Sequence, residues 1–181
     1  HIVWFKRDLR IEDHRPLAMA AKLGPVLPLY IVEPGFWAEP DASARQWAFA
    51  QECLVELQSD LAQLGQPLCV LIGDAVSVFR TLQQRYVIAS LWSHEETGNG
   101  WTYRRDKAVA AWAKAHGIPW NEIPGFGVIR RLKSRNGWAD AWDRRMAEAT
   151  IAPPEALQPI QGDWPSRLPA YAELGLAHDP C

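Results

Sequence analysis

The chain has 181 residues, 48% hydrophobic and 22% charged, with a formal net charge of −2. That is a globular composition, long enough to bury one core of ordinary domain size. It supplies no overall positive field for nucleic acid and no apolar run near the roughly 20 residues of a membrane span. The cysteines Cys53, Cys69 and Cys181 are odd in number and far apart. They point to reduced thiols and a cytoplasmic setting, not to a disulfide framework or a zinc site. Cys53 and Cys69 lie in apolar surroundings and read as small packing residues.

The first predicted element is a buried strand, Ile2-Val3-Trp4-Phe5, built from β-branched and aromatic residues. It gives way at once to Lys6, Arg7, Asp8, Arg10, Glu12 and Asp13. A helix over His14 to Lys22 follows, with Pro16 in its first turn and a stop at Gly24-Pro25. Val26 to Val32 reads as the second strand, followed by Glu33-Pro34-Gly35 and then Phe36-Trp37. Ser43 is the expected N-cap of a long helix whose apolar positions Trp47, Ala50, Leu54, Leu57, Leu61 and Leu64 repeat at three and four, with Gly65 as its end. Leu68 to Ile72 is the third strand, and Gly73-Asp74 opens a helix with Ala75, Phe79, Leu82 and Tyr86 on one face. Val87 to Trp92 is the fourth strand, SHEETGNG the loop after it, and Gly100 to His116 a helix ending at Gly117. Ile118 to Ile123 is the fifth strand. Near-continuous apolar strands alternating with amphipathic helices predict an α/β fold: a Rossmann-like, doubly wound, five-stranded parallel sheet with helices on both faces.

Beyond residue 124 the periodicity fades. Gly125, Gly127 and Gly137 punctuate a loop bearing Arg130, Arg131, Lys133 and Arg135, and a short helix spans Trp138 to Ala149. Pro153, Pro154, Pro159, Pro165, Pro169 and Pro180 mark the remainder as linker chemistry. The expected organisation is an α/β domain over 1–149 and a Pro-rich interdomain linker over 150–181. The chain reads as a fragment of a longer protein, with residues before His1 and a further domain after Cys181.

A strand that ends abruptly in charge and passes into a helix forms the rim of a ligand crevice in such a sheet. WFKRDLRIEDH resembles the opening motif of the DNA photolyase/cryptochrome family, W-F-R-x-D-L-R-x-x-D-N, with Lys6 where arginine is commoner and His14 where asparagine is commoner. PLYIVEPGFW, SARQWAFAQECLVELQSDLAQLG and LWSHEETGNGWTYRRDKAVAAWAKAHGI are similar to successive segments of that family. The resemblance implies an N-terminal antenna-type domain that holds a light-harvesting chromophore: a methenyltetrahydrofolate, an 8-hydroxy-5-deazaflavin or a flavin. It also implies a C-terminal helical domain, absent from this chain, that binds FAD and docks damaged DNA. No catalytic residue and no metal ligand is expected here, and the protein is expected to be monomeric.

The candidate cofactor-binding residues are Phe5, Arg7 and Asp8 after the first strand, Phe36 and Trp37 after the second, and Arg45 at the start of the long helix. His94, Glu95 and Glu96 after the fourth strand complete them. An ionised carboxylate accepts two parallel bonds from adjacent ring N–H groups, which suits Glu95 or Glu96 to a pterin. The competing reading of each is structural. Asp8 and Asp13 would anchor the arginines of the strand-to-helix turn, and the acidic loop would be a solvated cap with Thr97 or Asn99 as N-cap. His94 would be a hydrogen-bonded structural histidine with no other histidine at metal spacing. Trp37 would be packing, Arg105 and Asp106 an ion pair, and Trp101, Tyr103 and Trp112 core residues of their helix. The basic stretch 128–146, with Trp138 and Trp142, reads either as a phosphate- or base-contacting surface or as a face packed on the absent domain. Three functions follow: the antenna domain of a deoxyribodipyrimidine photolyase-like flavoprotein, the same domain of a cryptochrome-type photoreceptor, or a nucleotide-binding α/β domain unrelated to DNA repair. The lack of a G-x-G-x-x-G run or a P-loop counts against the last.

Overall fold

The β-branched and aromatic runs form strands, and the computed structural model, which describes residues 1–125, 127–130 and 134–176, shows five of them among those residues. The strands are β1 (Ile2–Phe5), β2 (Leu27–Val32), β3 (Cys69–Ile72), β4 (Leu91–His94) and β5 (Trp120–Ile123). Every residue of β1, β2 and β4 is buried, as strands covered on both faces require. All pairings are parallel and the order is β3-β2-β1-β4-β5, with Ile2 opposite Leu27 on one side and Leu91 on the other. The chain winds outward from β1 to β3, then crosses over to β4, so the order reverses between β1 and β4.

Helices α1 (Arg15–Ala21), α2 (Pro34–Trp37), α3 (Ala44–Gln63), α4 (Ala75–Gln83), α5 (Gly100–Ala115) and α6 (Trp138–Met146) complete the described architecture. Alternation along β1 divides the core. Val3 and Phe5 pack with Leu17 and Ala20 of α1 and with Trp47, Leu54, Leu57 and Leu61 of α3. Ile2 and Trp4 face Phe79 and Leu82 of α4 and Val109 and Trp112 of α5. Trp4 meets Phe79 edge-on at 5.2 Å, and Phe79 stacks on Trp112 at 5.6 Å. Ser43 caps α3 through a full capping box with Gln46, and Asn99 caps α5 by accepting from the Trp101 and Thr102 N–H groups.

Three local expectations change. The fourth strand begins at Leu91 and not at Val87, which is 98% exposed, and it extends to His94. His94 therefore sits in the strand and not in the loop. Tyr86 lies beyond α4 and packs on Trp164, ring centroids 5.3 Å apart. Of the aromatic residues on α5, Trp112 is core, Trp101 is half-buried and Tyr103 is exposed.

Residues 150–176 carry only a 3₁₀ turn, Tyr171–Leu174, yet they run along the domain as a strap. Leu157 and Leu174 are buried in the α1/α3 core. The Leu157 N–H donates to Leu64 O at 2.7 Å, and Val70 of edge strand β3 donates to Pro165 O at 2.6 Å. The Trp47 indole N–H donates to Pro169 O at 3.2 Å. The Val70–Pro165 bond covers part of a sheet edge that would otherwise offer unpaired backbone. By contrast α6 buries none of its side chains, and Trp138 and Trp142 are each more than 40% exposed. No helix among the described residues is long and apolar enough to cross a membrane.

Candidate functional site

The C-terminal ends of β1, β2 and β4 converge where the strand order reverses, and each end releases a charged segment: Lys6-Arg7-Asp8, Glu33 and Glu95-Glu96. A residue from α5, Arg105, ties them together. Its guanidinium donates to Glu33 and to Glu96, while its Nε donates to Asp106 at 2.8 Å. It lies 4.6 Å from the centroid of Trp4, the low-polarity floor of the cluster. Lys6 is equally buried, with Nζ 3.3 Å from Asp106, 3.9 Å from Glu96 and 4.9 Å from the Trp4 ring. Arg7 is half exposed, but its Nε reaches Glu96 Oε1 at 3.2 Å and its guanidinium lies 5.8 Å from the Phe36 ring. Lys6, Arg7 and Arg105 thus face Glu33, Glu96 and Asp106, and Arg130 reaches Asp106 at 3.9 Å.

Burial and charge act differently on its members. Burial pushes the Glu33 carboxyl up to about 7, against the opposing pull of Arg105 and the Ala75 N–H, because Glu33 shares its cation with two other acids. Burial lowers the Arg105 value, but Glu33, Glu96 and Asp106 together outweigh it, so the guanidinium stays charged. The Tyr30 phenol is raised, first by burial and then by Glu33 and Glu96.

The network separates two kinds of space. The inner cavity, walled by Trp4, Phe5, Tyr30, Glu33, Phe36, Trp37, Glu96 and Arg105, holds about 40 Å³, enough for a water or two. A fused-ring chromophore does not fit there. Outside it, a cleft of about 240 Å³ is lined by Lys6, Arg7, Asp8, His94, Glu95, Glu96, Thr97 and Val128. Glu96 and Thr97 also line a groove of about 590 Å³ that follows Tyr103, Asp106, Trp120 and Arg130. The groove is within the size range of small-molecule sites, and the cleft, which shares Glu96 and Thr97 with it, lies just below that range.

A second buried cluster stands behind the cleft. Asp8 Oδ2 lies 2.8 Å from His14 Nε2 and 2.5 Å from His94 Nδ1, and Asp8 Oδ1 accepts the Lys6 N–H at 3.0 Å. Burial alone would raise the Asp8 carboxyl. The bonds from His14 and His94 win and hold it well below the ordinary range. Burial lowers the His14 value further than Asp8 raises it. Asp8, His14 and His94 could in outline ligate a metal ion. The proton inventory opposes this: His14 Nδ1 already accepts the Leu17 N–H at 3.1 Å as the cap of α1. A neutral imidazole has one lone pair. A metal on Nε2 would force a proton onto Nδ1, facing the Leu17 N–H.

The fold brings Phe5, Arg7, Asp8, Phe36, Trp37, His94, Glu95 and Glu96 to the walls of these two spaces. Trp37 is buried and packs on Trp47 at 5.0 Å as well. Arg45 is exposed on the first turn of α3 and lines neither space. Asp8 pairs with the two histidines, not with the arginines of its turn. Arg10 instead donates to the carbonyls of Glu12 and Asp13, and Asp13 adopts φ 48° and exchanges bonds with Ile151. His14 lies beside His94 in space, ring centroids 4.6 Å apart, although the two are distant in sequence. Sequence reasoning missed Glu33 and Tyr30 and gave Arg105 only its neighbour Asp106. The signal for Glu33 was an acid at the end of a buried strand. Arg130 turns to the acidic rim, donating to Glu122 at 3.0 Å and to Glu96 O at 2.7 Å, while Arg131, Lys133, Pro180 and Cys181 lie outside the described residues.

Comparison with known proteins follows the same lines. The family model described as DNA photolyase matches residues 1–130. The deoxyribodipyrimidine photo-lyase of Synechococcus is 34% identical over 194 aligned residues, covering 99% of this chain and 38% of that protein. Cryptochrome-1 of Gallus gallus is 29% identical over 116 residues, covering 64% of this chain and 18% of that protein. The crystal structure of a class III photolyase from Agrobacterium tumefaciens superposes with a TM-score of 0.76 at 25% identity, over 91% of this chain and 36% of that one. The chain thus spans well under half the length of the relatives it matches. The charged motif after β1, the parallel sheet that reverses at β1 and β4, and the family match agree: this chain belongs to the DNA photolyase family, and it corresponds to that family's N-terminal α/β domain.

Proposed function

We propose that this domain holds a light-harvesting chromophore in the outer cleft at the β1/β4 switch point and packs against a C-terminal helical domain that binds FAD. The observation that carries the reading is the contrast in size between the two spaces: the inner cavity, walled by Glu33, Glu96 and Arg105, holds about 40 Å³, while the cleft beside it holds about 240 Å³. Arg7 supplies a guanidinium plane at the rim, 5.8 Å from the Phe36 ring of the inner cavity, and Glu95 a carboxylate for adjacent ring N–H donors. Among the three chromophores the acceptor-rich wall favours the pterin of a methenyltetrahydrofolate. The domain itself performs no bond chemistry. Its part is to hold the ring rigidly, which a buried, densely paired ion network does well.

In the intact protein the reaction is light-driven repair of cyclobutane pyrimidine dimers: the excited flavin donates an electron to the lesion and recovers it after the ring bonds break. DNA is reached through the other domain, in keeping with the slightly negative charge of this one. The protein works as a cytoplasmic monomer. A second reading, a cryptochrome-type photoreceptor, is favoured by the likeness to Cryptochrome-1. Titration of the intact protein with methenyltetrahydrofolate, 8-hydroxy-5-deazaflavin and FMN tests the antenna role, and saturable binding of one of them is expected. Binding of none would end it. A blue-light dimer-repair assay separates the two activities, and absence of repair with FAD bound would favour the photoreceptor.

A further inference from the structure

We propose that His94 is a built hydrogen-bond acceptor of the outer cleft, whose outward Nε2 receives a ring N–H or O–H of a planar heterocycle. The inference rests on the antenna reading and goes beyond it by naming the group that selects a donor-bearing ring edge.

The argument is a count of protons and lone pairs. An ionised carboxylate only accepts. Asp8 therefore receives an N–H from each atom bonded to it: Lys6 N at 3.0 Å, His14 Nε2 at 2.8 Å and His94 Nδ1 at 2.5 Å. His14 has no choice of tautomer, because its Nδ1 is occupied by the Leu17 N–H. His14 thus pins the carboxylate, and the carboxylate fixes the tautomer of His94. With Nδ1–H committed inward, the singly protonated tautomer of His94 has its lone pair on Nε2. No described residue bonds that atom.

His94 is only 4% exposed. A Cβ on Gly125 would come within 3.1–3.2 Å of His94 Cβ, Cγ and Cδ2, so the backbone there packs closely on the His94 side chain. His14 packs edge-on against it, ring centroids 4.6 Å apart. A purely structural partner for Asp8 needs only the inward bond, which an asparagine would make. What a histidine adds is the outward nitrogen. It also stands out among the acceptors of the cleft. The Glu96 carboxylate is occupied by Arg7, Lys6 and Arg105, which leaves His94 Nε2 and the loosely held Glu95, 3.8 Å from Arg130.

Two substitutions divide the imidazole. His94→Asn retains an amide N–H at the Nδ1 position for Asp8 and lacks an atom at Nε2. His94→Gln places its carbonyl oxygen near Nε2 and gives up the inward bond. In the intact protein, titrated with methenyltetrahydrofolate, 8-hydroxy-5-deazaflavin and FMN, His94→Asn is expected to weaken the chromophore that binds by about tenfold. His94→Gln is expected to retain most of the affinity. Long-range ¹H–¹⁵N spectra of the histidine-labelled chain should show His94 protonated on Nδ1 alone, and Zn²⁺ should leave the His14 and His94 signals unmoved. A proton on Nε2, Zn²⁺ shifts at those two rings, or unchanged affinity in His94→Asn would each overturn the inference while leaving the antenna reading intact. Failure of every chromophore to bind the wild-type protein would end both.

Discussion

Arg105 places one guanidinium against three carboxylates in a site that is nine-tenths buried, and removing a single member of such a group leaves uncompensated charge. Arg105→Met is expected to destabilise the domain by about 3–5 kcal/mol in urea unfolding. The Asp8 cluster gives a pH signature. Asp8 is held well below its ordinary value of 3.8, so its contribution is present above that value and is lost as pH falls toward the folded value. Asp8→Asn should cost about 2–3 kcal/mol at pH 7, with the difference from wild type shrinking below pH 4. His14 is lowered from 6.5, chiefly by burial. The unfolded chain therefore takes up its proton first, and stability falls as pH drops below 6.5. His14→Asn keeps a capping side chain on α1 and removes that titration. Its stability relative to wild type should be flat above pH 7 and improve below pH 6.5 by at most about 1.4 kcal/mol per pH unit. Glu33 acts in the opposite direction between 4.5 and about 7, which is why the difference between variant and wild type is the quantity to measure. The identities of these residues were visible in the chain, but their partners were not: Asp8 and His94 are 86 positions apart.

At the scale of elements, local signals worked where they were chemically specific. Ser43, with Gln46 three residues on, predicts its helix start, and both halves of the capping box form. Ser43→Ala is expected to cost about 1 kcal/mol in thermal or urea unfolding. Asn99 ends one of the open alternatives by capping α5. The fourth strand was displaced by several residues because Val87 and Ile88 look like any β-branched run. What starts β4 is its register, with Leu91 opposite both Ile2 and Trp120. Pairing is not a property of one segment. The same shift carries His94 from a loop into a rigid strand end, and so changes what the residue can do.

For the molecule as a whole, the strap at 150–176 shows how little composition says about packing. Proline-rich and aperiodic, it reads as a linker, yet Leu157 is 4% exposed within the α1/α3 core and its backbone bonds to Leu64. Leu157→Ala is expected to cost about 2–4 kcal/mol, which urea unfolding of the chain would show. A segment that is only a linker would tolerate the change within 0.5 kcal/mol. Hydrogen exchange at Val70 offers a second check, since its N–H is protected by Pro165 on an otherwise open sheet edge.

The chain by itself determined the fold class and the family, and it pointed to the end of the sheet proposed here to hold the chromophore. Hydrophobic periodicity, caps and a motif at a strand end are local and survive without coordinates. Only the tertiary structure decided how the charges pair, that the Arg105 network walls a cavity too small for a ring system, and that His14 and Asp8 turn His94 outward. Ion pairs, tautomers and cavities depend on distances between residues remote in sequence, and those distances are set by strand order and register, which no single segment encodes.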